Sequence, residues 1–496
     1  MEYNRTPDMS NNQIPLKQKT IKGFLWGGMA NGIQQVFALL FGIVLGRILM
    51  PEDMGIVGIL TIFSTVSAAF MESGFVSALT IKKDVKHADY NAVYWLCITI
   101  GATLYLLLFF AAPFIADFYE IPVLATVARV SFLNFFISSF GIAHSAYLNR
   151  NLLVRERALS TTAAVFIGGI CGIATALYGL GYWSLVIQNL TYCIVASSGF
   201  FYFSSFRPTL NFNFKPIQSM LGYSSKLLIT NVVINVNNNF LTSILGKFFP
   251  TATVGQFNQA NKWNLMGQTF ILSINNSLIQ PLMTEVSQKD ESRQTRVFRK
   301  LLSFISFVTF PLMFGLSFTS NEFIIILIGE KWLAAADYLG VIAFGGAFAV
   351  ASNVFANYNL SQGRSTIYMW NIICFGLLQI ALFFLLKSHS IIYLLYAYTG
   401  LQIIWLNTWY FICRQRLQYS YYFLFKDVYL FAATAMLSLY ITSLWVSHID
   451  HIYLRFIAKI AGLLGIYLFL LFISKSDILS EVISFFKEKL IERKNK

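Results

Sequence analysis

The sequence predicts an all-α polytopic membrane protein. About fourteen transmembrane helices are expected, set as two parallel six-helix lobes around a central cavity with a C-terminal helix pair appended. Three observations predict this. Of 496 residues, 56% are hydrophobic and only 12% are charged, well outside the balance of an ordinary soluble domain. The net charge of +14 is concentrated in alternate loops rather than spread along the chain. Finally, the chain repeats itself with a period of two hundred residues: Leu45-Gly46-Arg47 with Pro51 and Gly55 returns as Leu245-Gly246-Lys247 with Pro250 and Gly255, and Asn31 returns as Asn231.

At roughly 20 apolar residues per crossing, spans start near Ile21, Gly55, Tyr90, Val123, Ala158, Tyr182, Gly222, Gln256, Leu301, Asp337, Ser365, Ile391, Asp427 and Tyr453. The first six fill a lobe over residues 1–206. A polar segment at 207–217, framed by Pro208 and Pro216, is the linker, and spans seven to twelve fill 218–413. Each repeat holds an even number of spans, so the second copy enters from the same side as the first and the copies are parallel. Spans thirteen and fourteen, within 414–475, have no counterpart in the repeat. The tail at 476–496 sets Ile478, Val482, Phe485, Phe486 and Leu490 near one stripe. That is either an amphipathic helix on the inner leaflet or a frayed, solvated end.

Bases gather at Lys82, Lys83, Lys86, Arg150, Arg155, Arg157, Lys289, Arg293, Arg296 and Arg299. The opposite loops hold Glu52, Asp53, Asp117, Glu120, Glu322 and Glu330. The positive-inside rule then places both termini in the cytoplasm, so the basic charge reflects orientation and not nucleic-acid binding. The first twenty residues are polar and lack an apolar signal core, so span one is expected to act as its own insertion signal. The five cysteines lie within spans without CxxC spacing and read as small packing residues.

Amides crowd particular spans. Span one carries Asn31, Gln34 and Gln35. Its repeat mate, span seven, carries Asn231, Asn235, Asn238 and Thr242, which step by four, three and four along one helical face. Span eight runs through Gln256, Asn258, Gln259, Asn261, Lys262, Asn264 and Gln268 and is polar over much of its circumference. An amide facing hydrocarbon is costly, so these faces look into protein or water. As interhelical glue each is worth under about 1 kcal/mol, and gluing alone needs far fewer of them. The array therefore points to an aqueous cavity, where Asn and Gln both donate to and accept from sugar hydroxyls.

Charged residues inside spans are few: Glu72, Arg129, Lys262 and Lys459. Lys459 reads as a base that snorkels to the interface, and Arg129 is either that or a cavity cation. Lys262, two turns into span eight among amides, is the best cavity cation. Arg47 and Lys247, at matched ends of spans one and seven, either flank the cavity mouth or anchor at the interface. Cations in an amide-lined chamber suit an anionic, sugar-bearing substrate, with phosphate as the natural charge. The second copy is the more polar, with Asn235, Asn237, Asn238 and Asn239 where the first has Gln35, Phe37, Ala38 and Leu39.

Catalytic signatures are missing: no GxxxxGK[ST], HExxH or GxSxG occurs. No cofactor is expected. His448 and His451 beside Asp450 have a spacing that metals use, but an outer loop of solvated residues explains them as well. The glycine pairs Gly28/Gly32, Gly42/Gly46 and Gly168/Gly172 are expected to let helices approach closely.

Several segments resemble the bacterial polysaccharide transporter family of the multidrug/oligosaccharidyl-lipid/polysaccharide exporter superfamily. They are Gly42-Ile-Val-Leu-Gly-Arg-Ile-Leu-Met-Pro-Glu-Asp-Met-Gly55, Ser77-Ala-Leu-Thr-Ile-Lys-Lys-Asp84, Tyr90-Asn-Ala-Val-Tyr-Trp95, Gly179-Leu-Gly-Tyr-Trp-Ser-Leu-Val186 and Gly255-Gln-Phe-Asn-Gln-Ala260. The resemblance implies a bacterial inner-membrane flippase that moves undecaprenyl-diphosphate-linked oligosaccharides from the cytoplasmic to the periplasmic leaflet, for capsule, O-antigen or exopolysaccharide synthesis. It implies a lipid-linked oligosaccharide and membrane lipids as partners, polysaccharide polymerase machinery as a further candidate, and no enzymatic step. By analogy with lipid II flippases, spans thirteen and fourteen would help form a groove for the prenyl tail. A cation-coupled multidrug exporter of the same superfamily is the alternative; it needs acidic residues in the spans, and Glu72 is the candidate for cation coupling. A membrane glycan polymerase or ligase would need a large outer loop with catalytic Arg or His, which the sequence lacks.

Overall fold

The computed structural model describes residues 16–72, 79, 82, 84–286, 291–474, 476, 478–481 and 484. Among these there is no strand. The helices are α1 (Leu16–Ile48), α2 (Pro51–Glu72), α3 (His87–Tyr119), α4 (Val123–Ser131), α5 (Leu133–Arg150), α6 (Val154–Leu177), α7 (Trp183–Phe203), α8 (Lys215–Phe248), α9 (Thr251–Val286), α10 (Glu291–Phe318), α11 (Ser320–Ile328), α12 (Leu333–Ser361), α13 (Ser365–Leu386) and α14 (Ile391–Cys413). Then come α15 (Tyr421–Val446) and α16 (Ile452–Ile473). Eleven segments among the described residues are long and apolar enough to cross a membrane.

Helix starts follow local chemistry. At α2, Pro51 takes the first helical position, where its missing N–H costs nothing, and the Asp53 carboxylate accepts from Met50 N at 3.0 Å. At α3 the Asp89 carboxylate accepts from Lys86 N at 2.8 Å and from Lys82 Nζ at 2.7 Å. Both place an acid in the first turn, where the helix dipole favours it.

The chain forms two compact units, Met1–Leu49 with Leu60–Val236, and Met50–Ile59 with Asn237–Lys496. In the first, small residues set helix spacing: a Cβ on Gly168 would sit 3.0 Å from Gln188 O and one on Gly199 2.7 Å from Ser160 Oγ, so α6 and α7 touch nearly backbone to backbone. Gly28 and Gly32, whose spacing predicts the same packing, have nothing within 4 Å of such a Cβ; among the described residues no helix covers that face. Between α7 and α8 the chain runs extended along the start of α3. The Asn91 side chain, 3% exposed, donates to Asn211 O at 2.6 Å and accepts from Thr209 N at 2.8 Å. Trp95 Nε1 adds a bond to Thr209 O at 2.8 Å, and its ring lies 4.6 Å from that of Phe212. The polar linker is therefore bound along its length.

The second unit is built around α12, whose buried face carries Leu339, Ala343, Ala347, Val350, Val354 and Phe355. Phe314 stacks on Phe344 at 4.2 Å. Gln256 joins α9 to the start of α12, donating to Lys331 O at 2.7 Å and accepting from Ala335 N at 3.0 Å. The first turns of α2 cross α9 at the repeated glycines: a Cβ on Gly55 would fall on the carbonyl of Thr251, and one on Gly255 on the carbonyl of Pro51. The repeated glycines thus meet their own repeat mates' helices.

The last two helices pack onto α10 and α11. Glu322 at the start of α11 is 2% exposed and receives Arg455 Nε at 2.8 Å and Lys459 Nζ at 2.9 Å from α16. The sequence places Glu322 in an outer loop and reads Lys459 as a snorkelling base. Instead each neutralises the other, because α16 lies against α11. At the other end Arg299 binds Asp427 through Nε at 2.9 Å and Nη2 at 3.2 Å, with Tyr419 Oη donating to the same carboxylate at 2.9 Å. Asp427 sits in a π-helical turn, Phe425–Tyr429, a widening that often marks a side chain aimed off the regular helical face.

Candidate substrate-binding surface

Within the first unit the sequence-predicted residues divide. Gln34 donates to Thr161 Oγ1 at 2.9 Å and Thr162 Oγ1 at 3.1 Å, so it ties α1 to α6. Asn31 is exposed on α1. Asn231 and Asn235 are half-buried one turn apart on α8, and Asn235 Nδ2 bonds back to Asn231 O at 2.9 Å. Arg47 is exposed at the end of α1. Arg129 is held on α3: its guanidinium lies 4.8 Å from the centre of the Phe109 ring, with Nε 3.4 Å from Phe109 O. Glu72 ends α2, and its side chain lies outside the described ones.

In the second unit Asn238 is exposed on α8 and Lys247 is half-buried at that helix's end. Asn237, missed as a structural residue, donates to Ile372 O at 2.7 Å. On α9 the amides sort by face. Gln268 donates to Asn264 Oδ1 at 3.1 Å, and both press on Gly346 of α12, where a Cβ would come 2.6 Å from Asn264 Oδ1. Those two are packing residues. On another face Asn258, Asn261, Lys262, Leu265 and Thr269 recur at helical spacing; the first three are half-buried and the last two exposed.

Lys262 is the notable member. It has no hydrogen bond or ion pair among the described residues, and its neighbours Gln259 and Trp263 are buried with Gln259 Nε2 and Trp263 Nε1 lacking partners. An amine held this way has three donors available to an incoming anion, and a phosphate or acidic sugar supplies the matching acceptors. Sequence reasoning missed the Glu322, Asp427 and Asn91 contacts, since their charged or backbone partners Arg455, Lys459, Arg299, Thr209 and Asn211 stand more than a hundred residues away.

Among the described residues the chain is helical without strands, with eleven candidate membrane spans and amide-rich helices beside them, which defines a polytopic helical membrane protein. That fold is the one of the multidrug/oligosaccharidyl-lipid/polysaccharide exporter superfamily: lipid II flippase MurJ in an inward closed conformation aligns with a TM-score of 0.74 at 16% identity, covering 94% of this chain and all of that one. An inward-facing multidrug resistance MATE family transporter aligns with a TM-score of 0.63 at 14% identity, covering 78% and 94%. The polysaccharide biosynthesis protein family matches residues 44–337, and the chain belongs to that family. Among its relatives, the lipopolysaccharide biosynthesis protein WzxC of Escherichia coli (strain K12) is 23% identical over 71% of this chain and 72% of its own. The succinoglycan biosynthesis transport protein ExoT of Rhizobium meliloti (strain 1021) is 22% identical over 66% of each.

Proposed function

We propose that this protein is a flippase for lipid-linked oligosaccharides, carrying undecaprenyl-diphosphate-linked repeat units from the cytoplasmic to the periplasmic leaflet by alternating access. Family membership and the names of relatives concerned with lipopolysaccharide and succinoglycan support the substrate class. The observation that carries the reading is the half-buried stripe on α9: a cation with no ion pair or hydrogen bond among the described residues, flanked by amides. Lys262 engages the diphosphate or an acidic sugar, while Asn258, Asn261 and Asn238 exchange hydrogen bonds with hydroxyls. Arg129 is available to substrate only by leaving Phe109. Both termini lie in the cytoplasm, and transport rather than bond-making is the work done.

Deleting the gene and identifying the lipid-linked oligosaccharide that accumulates on the cytoplasmic leaflet names substrate and direction together. Lys262→Ala should abolish surface glycan while protein level stays constant, and Lys262→Arg should retain part of it. Unchanged glycan in Lys262→Ala would sink the assignment.

A further inference from the structure

A proline inside a helix removes one N–H and leaves the carbonyl four residues earlier without its donor. The chain does this at Pro113 in α3 and at Pro311 in α10, positions close to the two-hundred-residue period of the repeat. The orphaned carbonyls belong to Phe109 and Phe307. Both are met from another helix: Arg129 Nε on α4 reaches Phe109 O at 3.4 Å, and Tyr467 Oη on α16 donates to Phe307 O at 3.0 Å.

The two donors are unrelated in type and origin. In the first half the donor comes from α4, the short helix directly after the broken one. In the second half the short helix in that place, α11, is apolar after its first turn, Phe323-Ile-Ile-Ile-Leu-Ile328, so no side-chain donor stands where Arg129 stands on α4. Helix α16, outside the repeat, supplies the hydroxyl instead. Its contact ridge repeats every four residues, Arg455, Lys459, Leu463, Tyr467 and Leu471, and the last three are 2%, 1% and 0% exposed. Lys459 is fixed on Glu322, and Leu463 lies over Gly315, where a Cβ would come 2.9 Å from Leu463 Cδ2. Two turns from that ion pair, roughly 12 Å along the helix, Tyr467 arrives at the break.

We propose that α16 is a splint for the proline break in α10, and that the Tyr467 hydroxyl is its positioning group. It replaces the hydrogen bond that Pro311 removes and so fixes the shape of α10 required for transport. Only this last consequence rests on the flippase reading.

The test is a cycle of Tyr467→Phe, Pro311→Ala and the double variant in the purified full-length protein, read by thermal melting and amide hydrogen exchange, with surface glycan measured in cells. Tyr467→Phe keeps the ring and removes only the hydroxyl, so a residue that merely fills space predicts no change. The expected result is a lower melting temperature, faster exchange around Phe307 in α10 with α3 unaffected, and export reduced about five- to tenfold, the effect of one lost buried hydrogen bond. With Pro311→Ala, the alanine N–H satisfies Phe307 O, and adding Tyr467→Phe should change little more. Additive losses, or a silent Tyr467→Phe, would overturn the splint. If Pro311→Ala does not fold, exchange in Tyr467→Phe alone decides: protection of α10 equal to the parent's overturns it. Melting and exchange need no substrate, so a parent protein that moves no lipid-linked glycan defeats the flippase reading and leaves the splint standing.

Discussion

Glu322 shows how one buried side chain organises its surroundings. Its carboxylate is nearly inaccessible, and two cations from α16 converge on it, so removing its charge takes the counter-charge from both, leaving Lys459 its bond to Phe318 O. Breaking a buried pair from one side is much more costly than replacing the whole pair, because an uncompensated charge remains. Arg455 is partly exposed, which reduces its share of the effect. Glu322→Gln is expected to cost about 2–4 kcal/mol, seen as a fall of several degrees in melting temperature. The Glu322→Gln/Lys459→Met pair should lose less than the sum of the single changes, and strict additivity would deny the coupling. Asn91 is a second such residue. It satisfies one N–H and one carbonyl of the linker, so Asn91→Ala should cost about 1–3 kcal/mol and expose residues 204–214 to protease. Equal cleavage rates in the two proteins would show that the linker is held by other means. Neither residue announces its role in sequence: Glu322 stands among ordinary loop acids, and Asn91 lies beyond the amide-rich spans.

At the scale of elements, glycine has two opposite meanings in this chain. At Gly55 and Gly255 a methyl group would collide with backbone carbonyls, which cannot move aside as a flexible side chain can. At Gly28 and Gly32 it would meet open space. Alanine at either of the first pair should lower folded protein severely. At either of the second it should be neutral or gain up to about 1 kcal/mol from helix propensity. Melting curves of the four single variants check the contrast, and a tolerated Gly255→Ala would show that the crossing can separate without penalty. The Gly-xxx-Gly spacing is equally legible at Gly28/Gly32 and at Gly168/Gly172, yet close packing follows it only at the second pair, where α7 lies against it. Amides behaved alike: the α9 run was visible as polar, but which members pack on α12 and which remain accessible depended on a neighbour far away in sequence.

Across the whole molecule, the repeat governs more than topology. It places Gly55 and Gly255 in reciprocal contact and sets Pro113 and Pro311 at corresponding breaks. Where the second copy lacks a donor, a helix from outside the repeat fills the gap. The helical class, the succession of apolar segments and the family resemblance could all be read from the chain, because hydrophobicity, charge and motif spacing are local properties that survive in one dimension. Lys262 stands out in the sequence as a cation set among amides, and its role belongs to the flippase proposal. Whether Arg129 is free or held, whether Glu322 is wet or buried, and what the appended helices grip were decided only by the tertiary structure. Those outcomes are differences between competing partners, and a partner more than a hundred residues distant acquires a distance, and therefore an energy, only once the helices have packed.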